Sequence, residues 1–320
     1  MSLSGRAPQR GLGRLVAGTI ALAMVAPAAV VALPLAVLLA VTPPRTRAEL
    51  VTTGIASGFS AWWLLGPGQL PDQMVRAAAV LATAGFVVFT VRTGLPFMYR
   101  ALVSLAGSMV GVSALLWLMG SSWGELRWWV ANRSALAARS LMGMLWSRVS
   151  ITEAVDTASP ALTRLEESLG TMVQLTADFL PAITALELLA GLVLATAIYH
   201  RVARQPRGQP MGRFRDFRFS EHLGWALVVP LIAVLVPKLV AAKAAAANLL
   251  LLGAALYALR GAAVAVFALH ALGAGGFFLW LFLTVIMVLM LPFVLGGAIL
   301  LGVLDGGLDL RRRWRNAAAR

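Results

Sequence analysis

The stretch Gly261–Leu304, GAAVAVFALHALGAGGFFLWLFLTVIMVLMLPFVLGGAILLGVL, carries no formal charge over 44 residues and stops at Asp305-Gly306-Gly307-Leu308-Asp309-Leu310-Arg311-Arg312-Arg313. No water-soluble core requires such a run. A helix crossing a bilayer takes ~20 apolar residues, so this stretch exceeds one straight crossing and must bend, re-enter or return. The chain therefore reads as a polytopic membrane protein. Composition agrees, with 60% hydrophobic and 12% charged residues, against about 25% charged in soluble domains. Its 320 residues include no Cys, which excludes disulfides, thiolate nucleophiles and Cys-bound metals. Basic residues outnumber acidic ones 27 to 13, a bias that suits loops on the cytoplasmic side of a membrane better than nucleic acid.

Working outward, the N-terminal segment 1–14 is basic through Arg6, Arg10 and Arg14, and an uncharged run follows from Leu15 to Pro44. Its length fits a retained first membrane segment better than a cleavable signal peptide. Pro27 and Pro34 break residues 15–41 into a kinked helix or two short ones. Further hydrophobic segments are 50–66, 76–92, 99–120, 178–200, 222–240, 244–270 and 275–304, which makes about eight. The loop 201–218, with Arg201, Arg204, Arg207, Arg213, Arg215 and Arg218 against Asp216, reads as cytoplasmic. Counting back from it puts residues 121–177 outside and Arg92 and Arg100 inside. Hydropathy leaves open how often 15–41 and 261–304 cross, and on which side the basic tail 305–320 lies.

Residues 121–177 are different in character. Five Arg and five acids (Glu125, Glu153, Asp156, Glu166, Glu167) are spread through Trp- and Leu-containing sequence. This reads as an amphipathic, non-spanning insert between the membrane segments of 15–120 and 178–304. Ser159-Pro160 has the form of an N-cap and N1 proline, and Leu162, Leu165, Leu169 and Met172 recur at helical spacing. Trp123, Trp128 and Trp129 suit the headgroup level.

Ionisable groups at membrane depth are costly and mark candidate sites. Glu187 lies among leucines near mid-span, and Arg260 is flanked by apolar sequence on both sides. The two either neutralise one another between helices or line a polar cavity that binds a solute or couples protons. Arg260 can also snorkel from a tilted helix. Phe214, Arg215, Phe217 and Arg218 alternate in a way that places rings at the interface and arginines on anionic lipid phosphates. Asp305 and Asp309, with Arg312 and Arg313 beyond, read as local ion pairs. Gly54–Gly58 and Gly107–Gly111 are GxxxG packing signals. Lys238, Lys243, His200 and His222 read as boundary residues. Three scattered His, with no HExxH or paired catalytic carboxylates, point to no metal site, no cofactor and no enzyme activity.

The succession Phe214-Arg215-Asp216-Phe217-Arg218-Phe219 before Trp225, then Leu256-Tyr257-Ala258-Leu259-Arg260-Gly261, then Gly302-Val303-Leu304-Asp305 running into Asp309-Leu310-Arg311-Arg312-Arg313, resembles the YybS-like family of bacterial integral membrane proteins, a domain of unknown function. The resemblance covers residues 178–315 by motif and the region before 120 by hydropathy. It implies a multi-pass protein of the bacterial cytoplasmic membrane, distantly similar to the S-components of energy-coupling-factor transporters and to MreD-type morphogenesis proteins. It implies no catalytic residues. Ala17 and Ala21 have the Ala-xxx-Ala spacing that S-components use toward their coupling partner.

The expected fold is thus all-α, a transmembrane helical bundle with an amphipathic helical insert. The expected function is small-solute binding or transport in the manner of an S-component, with a non-catalytic scaffold of the cell envelope as the alternative. Expected partners are the lipid bilayer, anionic lipids and a membrane protein, without nucleic acid.

Overall fold

The computed structural model describes residues 27–42, 44, 46–150, 155–271 and 290–318. Eleven α-helices and two short 3-10 turns account for most of them, and no strand occurs among the described residues. The chain falls into two units, one through Met211 and one from Gly212, dividing inside the basic loop 201–218.

The first unit holds α1 (Ala28–Val41), α2 (Arg47–Leu65), α3 (Leu70–Arg92), α4 (Phe97–Leu118), α5 (Trp123–Ser150), α6 (Val155–Asp178) and α7 (Leu180–Val202). Helix α1 starts directly after Pro27 and keeps Pro34 inside. Most of its side chains are buried, and it packs on α2, α3 and α7. Helix α2 opens with a capping box, in which Thr46 Oγ1 accepts the Glu49 N–H at 3.2 Å and Glu49 Oε2 accepts the Thr46 N–H at 2.9 Å. The core lies where α3, α4 and α7 present small residues, including Ala78, Ala79, Ala82, Ala101, Ala185 and Ala195. Small side chains let helices approach closely where lipid supplies no hydrophobic drive between them. Ser108 Oγ ties α4 to α3 by donating to the Ala78 carbonyl at 2.7 Å.

Helices α5 and α6 pack on one another. Exposed ion pairs join Arg133 to Asp72 of α3 at 2.9 Å and Arg127 to Asp178 at 3.1 Å. The described residues of 121–177 thus lie largely in two long helices. The described part of helix α6 runs from Val155 and carries Pro160 inside it, so Ser159-Pro160 does not start it. At the sixth position of the described helix, Pro160 gives up the bond to the carbonyl of residue 156, a local cost that the helix carries.

The second unit holds α8 (Trp225–Leu235), α9 (Val240–Ala271), α10 (Leu291–Leu308) and α11 (Leu310–Ala318), preceded by 3-10 turns at Phe214–Asp216 and Glu221–Gly224. Helix α9 packs on both α8 and α10.

Among the described residues, five helices are long and apolar enough to cross a membrane: Leu70–Arg92, Phe97–Leu118, Leu180–Val202, Ala242–Leu269 and Leu291–Leu308. That is fewer than the eight segments read from hydropathy. Segment 222–240 shrinks to the 11-residue α8, which holds Pro230 and stops before Pro237. Segment 50–66 becomes α2, whose first turn carries Arg47 and Glu49. The basic N-terminal residues 1–14, the Ala17/Ala21 pair and the centre of the long uncharged run, 272–289, lie outside the described residues.

Candidate functional site: a buried arginine–aspartate cluster

In the second unit, α9 and α10 meet through two glycines. A Cβ built on Gly261 would overlap the Ala298 carbonyl, and one built on Gly302 would overlap the Tyr257 carbonyl. Backbone touches backbone there, which only glycine permits on both sides. Arg260 precedes the first of these glycines, and Asp305 lies one turn beyond the second. The close approach brings their side chains together.

Arg260 Nε donates to Asp305 Oδ2 at 3.0 Å and its Nη2 to the Asp305 carbonyl at 3.1 Å. Arg311, the second residue of α11, donates to the same carboxylate through Nη2 at 2.9 Å and Nε at 3.4 Å. It also donates to the carbonyls of Arg215 and Phe217, each at 2.9 Å. Arg260, Asp305 and Arg311 are 4%, 1% and 1% exposed. One carboxylate therefore sits between two guanidinium groups. The Phe219 ring, 5.1 Å from the Arg260 guanidinium carbon, adds a cation–π contact through its face. Phe219 stands edge-on to Tyr257 at 5.1 Å, Phe217 edge-on to Phe219 at 5.9 Å, and Phe214 stacks on Phe217 at 6.4 Å.

Helix α10 ends at Asp309, which adopts the left-handed conformation (φ 46°) that Asp tolerates better than most residues. The chain then re-enters a helix at Leu310, and this break turns Arg311 back toward Asp305. Asp309 itself accepts from Arg218 at 2.8 Å, with both side chains about two-fifths exposed. Asp305 and Asp309 are thus engaged by Arg260, Arg311 and Arg218, and not by Arg312 and Arg313 as their spacing suggested. The cluster fastens the segment Arg215–Phe219 to the ends of α9 and α10. Chemically it is a lock: arginine does not deprotonate in proteins, and the carboxylate is fully engaged.

The other expected site residues are distributed as follows. Arg260 is paired with Asp305, and Glu187 makes no ion pair with any described residue. Glu187 is half-buried at the middle of α7, in the first unit. Of the loop residues expected at the lipid interface, Phe217 is engaged in ring stacking and Arg218 in its ion pair, while Phe214 is 48% exposed. Arg215 makes a longer contact to Asp216 at 3.8 Å. Gly111 packs beneath Leu81 of α3, but a Cβ at Gly54, Gly58 or Gly107 would meet nothing within 4 Å. The sequence reading missed Gly261, Gly302 and Arg311. The signal was available in part, since Gly261 and Gly302 stand beside the two ionisable residues that bracket the long uncharged run.

A family model described as a predicted membrane protein of unknown function, DUF2232, matches residues 97–306. No curated protein and no solved structure matches the chain. The matched stretch runs from the first residue of α4 almost to the end of α10 and includes Arg100, Glu187, Arg260 and Asp305. With more than half of its length matched and a multi-helix apolar architecture to go with it, the chain belongs to the DUF2232 family of predicted membrane proteins.

Proposed function

We propose that the protein is a non-catalytic membrane scaffold, anchored by its apolar helices and presenting the paired helices α5 and α6 to a protein partner in the same membrane. The observation that carries this reading is the apolar stripe of α6. Leu165 and Met172, seven residues apart and so on one helix face, are 39% and 61% exposed, and Leu175 is 50% exposed. An amphipathic helix whose apolar face is left open by the described residues offers a surface for a partner to cover. A cavity in the first unit, lined by Pro71, Met74, Met109, Leu126 and other mainly apolar side chains, holds about 30 Å³. That is room for one or two waters, whereas ligand pockets run to ~300–1,000 Å³.

A photo-crosslinking residue placed at Met172, in cells, tests the proposal. The expected product is a discrete adduct with a membrane protein, lost when Leu165 is replaced by Glu. Adducts with lipid alone would overturn the partner reading and leave α6 as a helix lying on the bilayer surface.

A second reading, solute binding in the manner of an S-component, is favoured by Glu187. A carboxyl group near mid-span with no ion pair among the described residues is costly to keep without a role. If it contacts a solute, Glu187→Gln should abolish retention of a small molecule by the purified protein, read by mass spectrometry, while expression stays within about twofold of wild type. Identical small-molecule profiles for both proteins would remove this reading.

A further inference from the structure

The first unit contains a buried arginine of its own, Arg100, which takes no part in the cluster above. Arg100 lies in the first turns of α4 and is 1% exposed. Its one hydrogen bond is long, from Nη2 to the Gln209 carbonyl at 3.3 Å. Its Nε and Nη1 are buried without a hydrogen-bond partner, and it forms no ion pair with any described residue. The Phe86 ring lies 5.5 Å from its guanidinium carbon, which offsets only part of the charge. Glu49 reaches the same segment of chain, but its two oxygens accept the backbone N–H groups of Arg204 and Thr46. A permanently charged group held out of water with donors unmet is a large penalty unless an anion joins it.

The cover over Arg100 is thin. Gly208 sits against the guanidinium with φ +81°, and a Cβ there would come within 2.7 Å of Arg100 Nη1 and 2.8 Å of Thr90 Cγ2. A residue without a side chain is therefore needed at that point. The covering residues Arg207, Gly208, Gln209 and Pro210 are themselves exposed. The backbone of this exposed segment lies over the buried guanidinium, anchored by the Arg207 N–H donating to the Tyr199 hydroxyl at 2.8 Å. Around that cover, Arg201, Arg204 and Arg207 are exposed. Together they form a positive rim that raises the local concentration of anions.

We propose that Arg100 is the floor of a phosphate-binding site at this end of the first unit, entered by displacement of the 207–210 cover and rimmed by Arg201, Arg204 and Arg207. A phosphate group fits because it brings at least two unesterified acceptor oxygens and a negative charge to a concentration of guanidinium donors. Either a lipid headgroup or a free phosphate compound carries this chemistry. The site is independent of the scaffold reading, since it involves neither α5 nor α6.

The test uses thermal unfolding of the purified full chain, with two sources of phosphate. One arm titrates inorganic phosphate in a neutral detergent at fixed ionic strength. The other compares nanodiscs of phosphatidylcholine with nanodiscs containing phosphatidylglycerol. The expected result is a saturable rise in melting temperature in one arm, abolished in Arg100→Gln and shifted to about tenfold higher concentration in Arg100→Lys, which keeps the charge but not the planar fork. A response to inorganic phosphate identifies a soluble ligand, and a response confined to the anionic nanodiscs identifies a headgroup. No rise in either arm for the wild type overturns the proposal, even if neither variant folds. An equal rise in wild type and Arg100→Gln also overturns it, because the effect then belongs to the exposed arginines.

Discussion

Asp305→Ala is expected to be among the most damaging single substitutions in the second unit, lowering stability by about 3–5 kcal/mol because it strands two buried guanidinium groups beside one another. The present cluster holds two positive charges and one negative. Removing the carboxylate leaves two buried cations facing the Phe219 ring and the backbone carbonyls of Arg215, Phe217 and residue 305. Arg260→Met removes one cation instead and leaves Asp305 paired with Arg311 alone, a locally neutral arrangement, so its effect should be clearly smaller than that of Asp305→Ala. Asp309→Ala breaks an exposed pair with Arg218 and should cost no more than about 1 kcal/mol. Thermal unfolding in one detergent orders the three variants. If Asp305→Ala and Asp309→Ala melt together, burial of the cluster does not govern its energetics and the lock has been misidentified.

The order of those effects would be hard to obtain from sequence, and the reason is instructive. Arg260 stands out because apolar residues surround it, and the eye then seeks a counter-charge at similar depth, which is Glu187. Asp305 looks like the first residue of a polar tail because it ends the uncharged run. Its depth comes instead from two features that hydropathy does not weigh: the Gly261/Gly302 approach that draws α10 onto α9, and the left-handed turn at Asp309 that folds Arg311 back. The helical, membrane-embedded class was legible because long uncharged runs have few alternatives. The length of segment 222–240 was not, since an average over a window does not see that Pro230 and Pro237 leave only 11 helical residues between Gly224 and Val236. Arg100 escaped notice for the opposite reason. It lies at a segment end, where an arginine is ordinarily solvated, and only the fold shows that the 207–210 segment closes over it.

Glycine spacing gives the second large effect, and here the outcome differs in sign between positions that sequence alone ranks the wrong way. Gly54 and Gly58 form a GxxxG motif, yet a methyl group at either meets nothing within 4 Å. Ala at these positions should leave the purified protein unchanged or stabilise it by up to about 1 kcal/mol, because Ala is the better helix former. Gly261 and Gly302 form no such motif with each other, being on different helices. A methyl group at Gly302 overlaps the Tyr257 carbonyl, and one at Gly261 overlaps the Ala298 carbonyl. Helix backbones cannot yield as a side-chain tip can, so α9 and α10 must move apart. Gly302→Ala should destabilise by about 1–3 kcal/mol from overpacking alone. Gly302→Val should do more, because the separation also stretches the 3.0 Å bond between Arg260 and Asp305. Combined with Asp305→Ala, Gly302→Val should therefore cost less than the sum of the two, since the second change acts on a bond the first has already lost. Strict additivity in that double-mutant cycle would separate the glycine contact from the ion cluster and refute the link between helix approach and charge pairing.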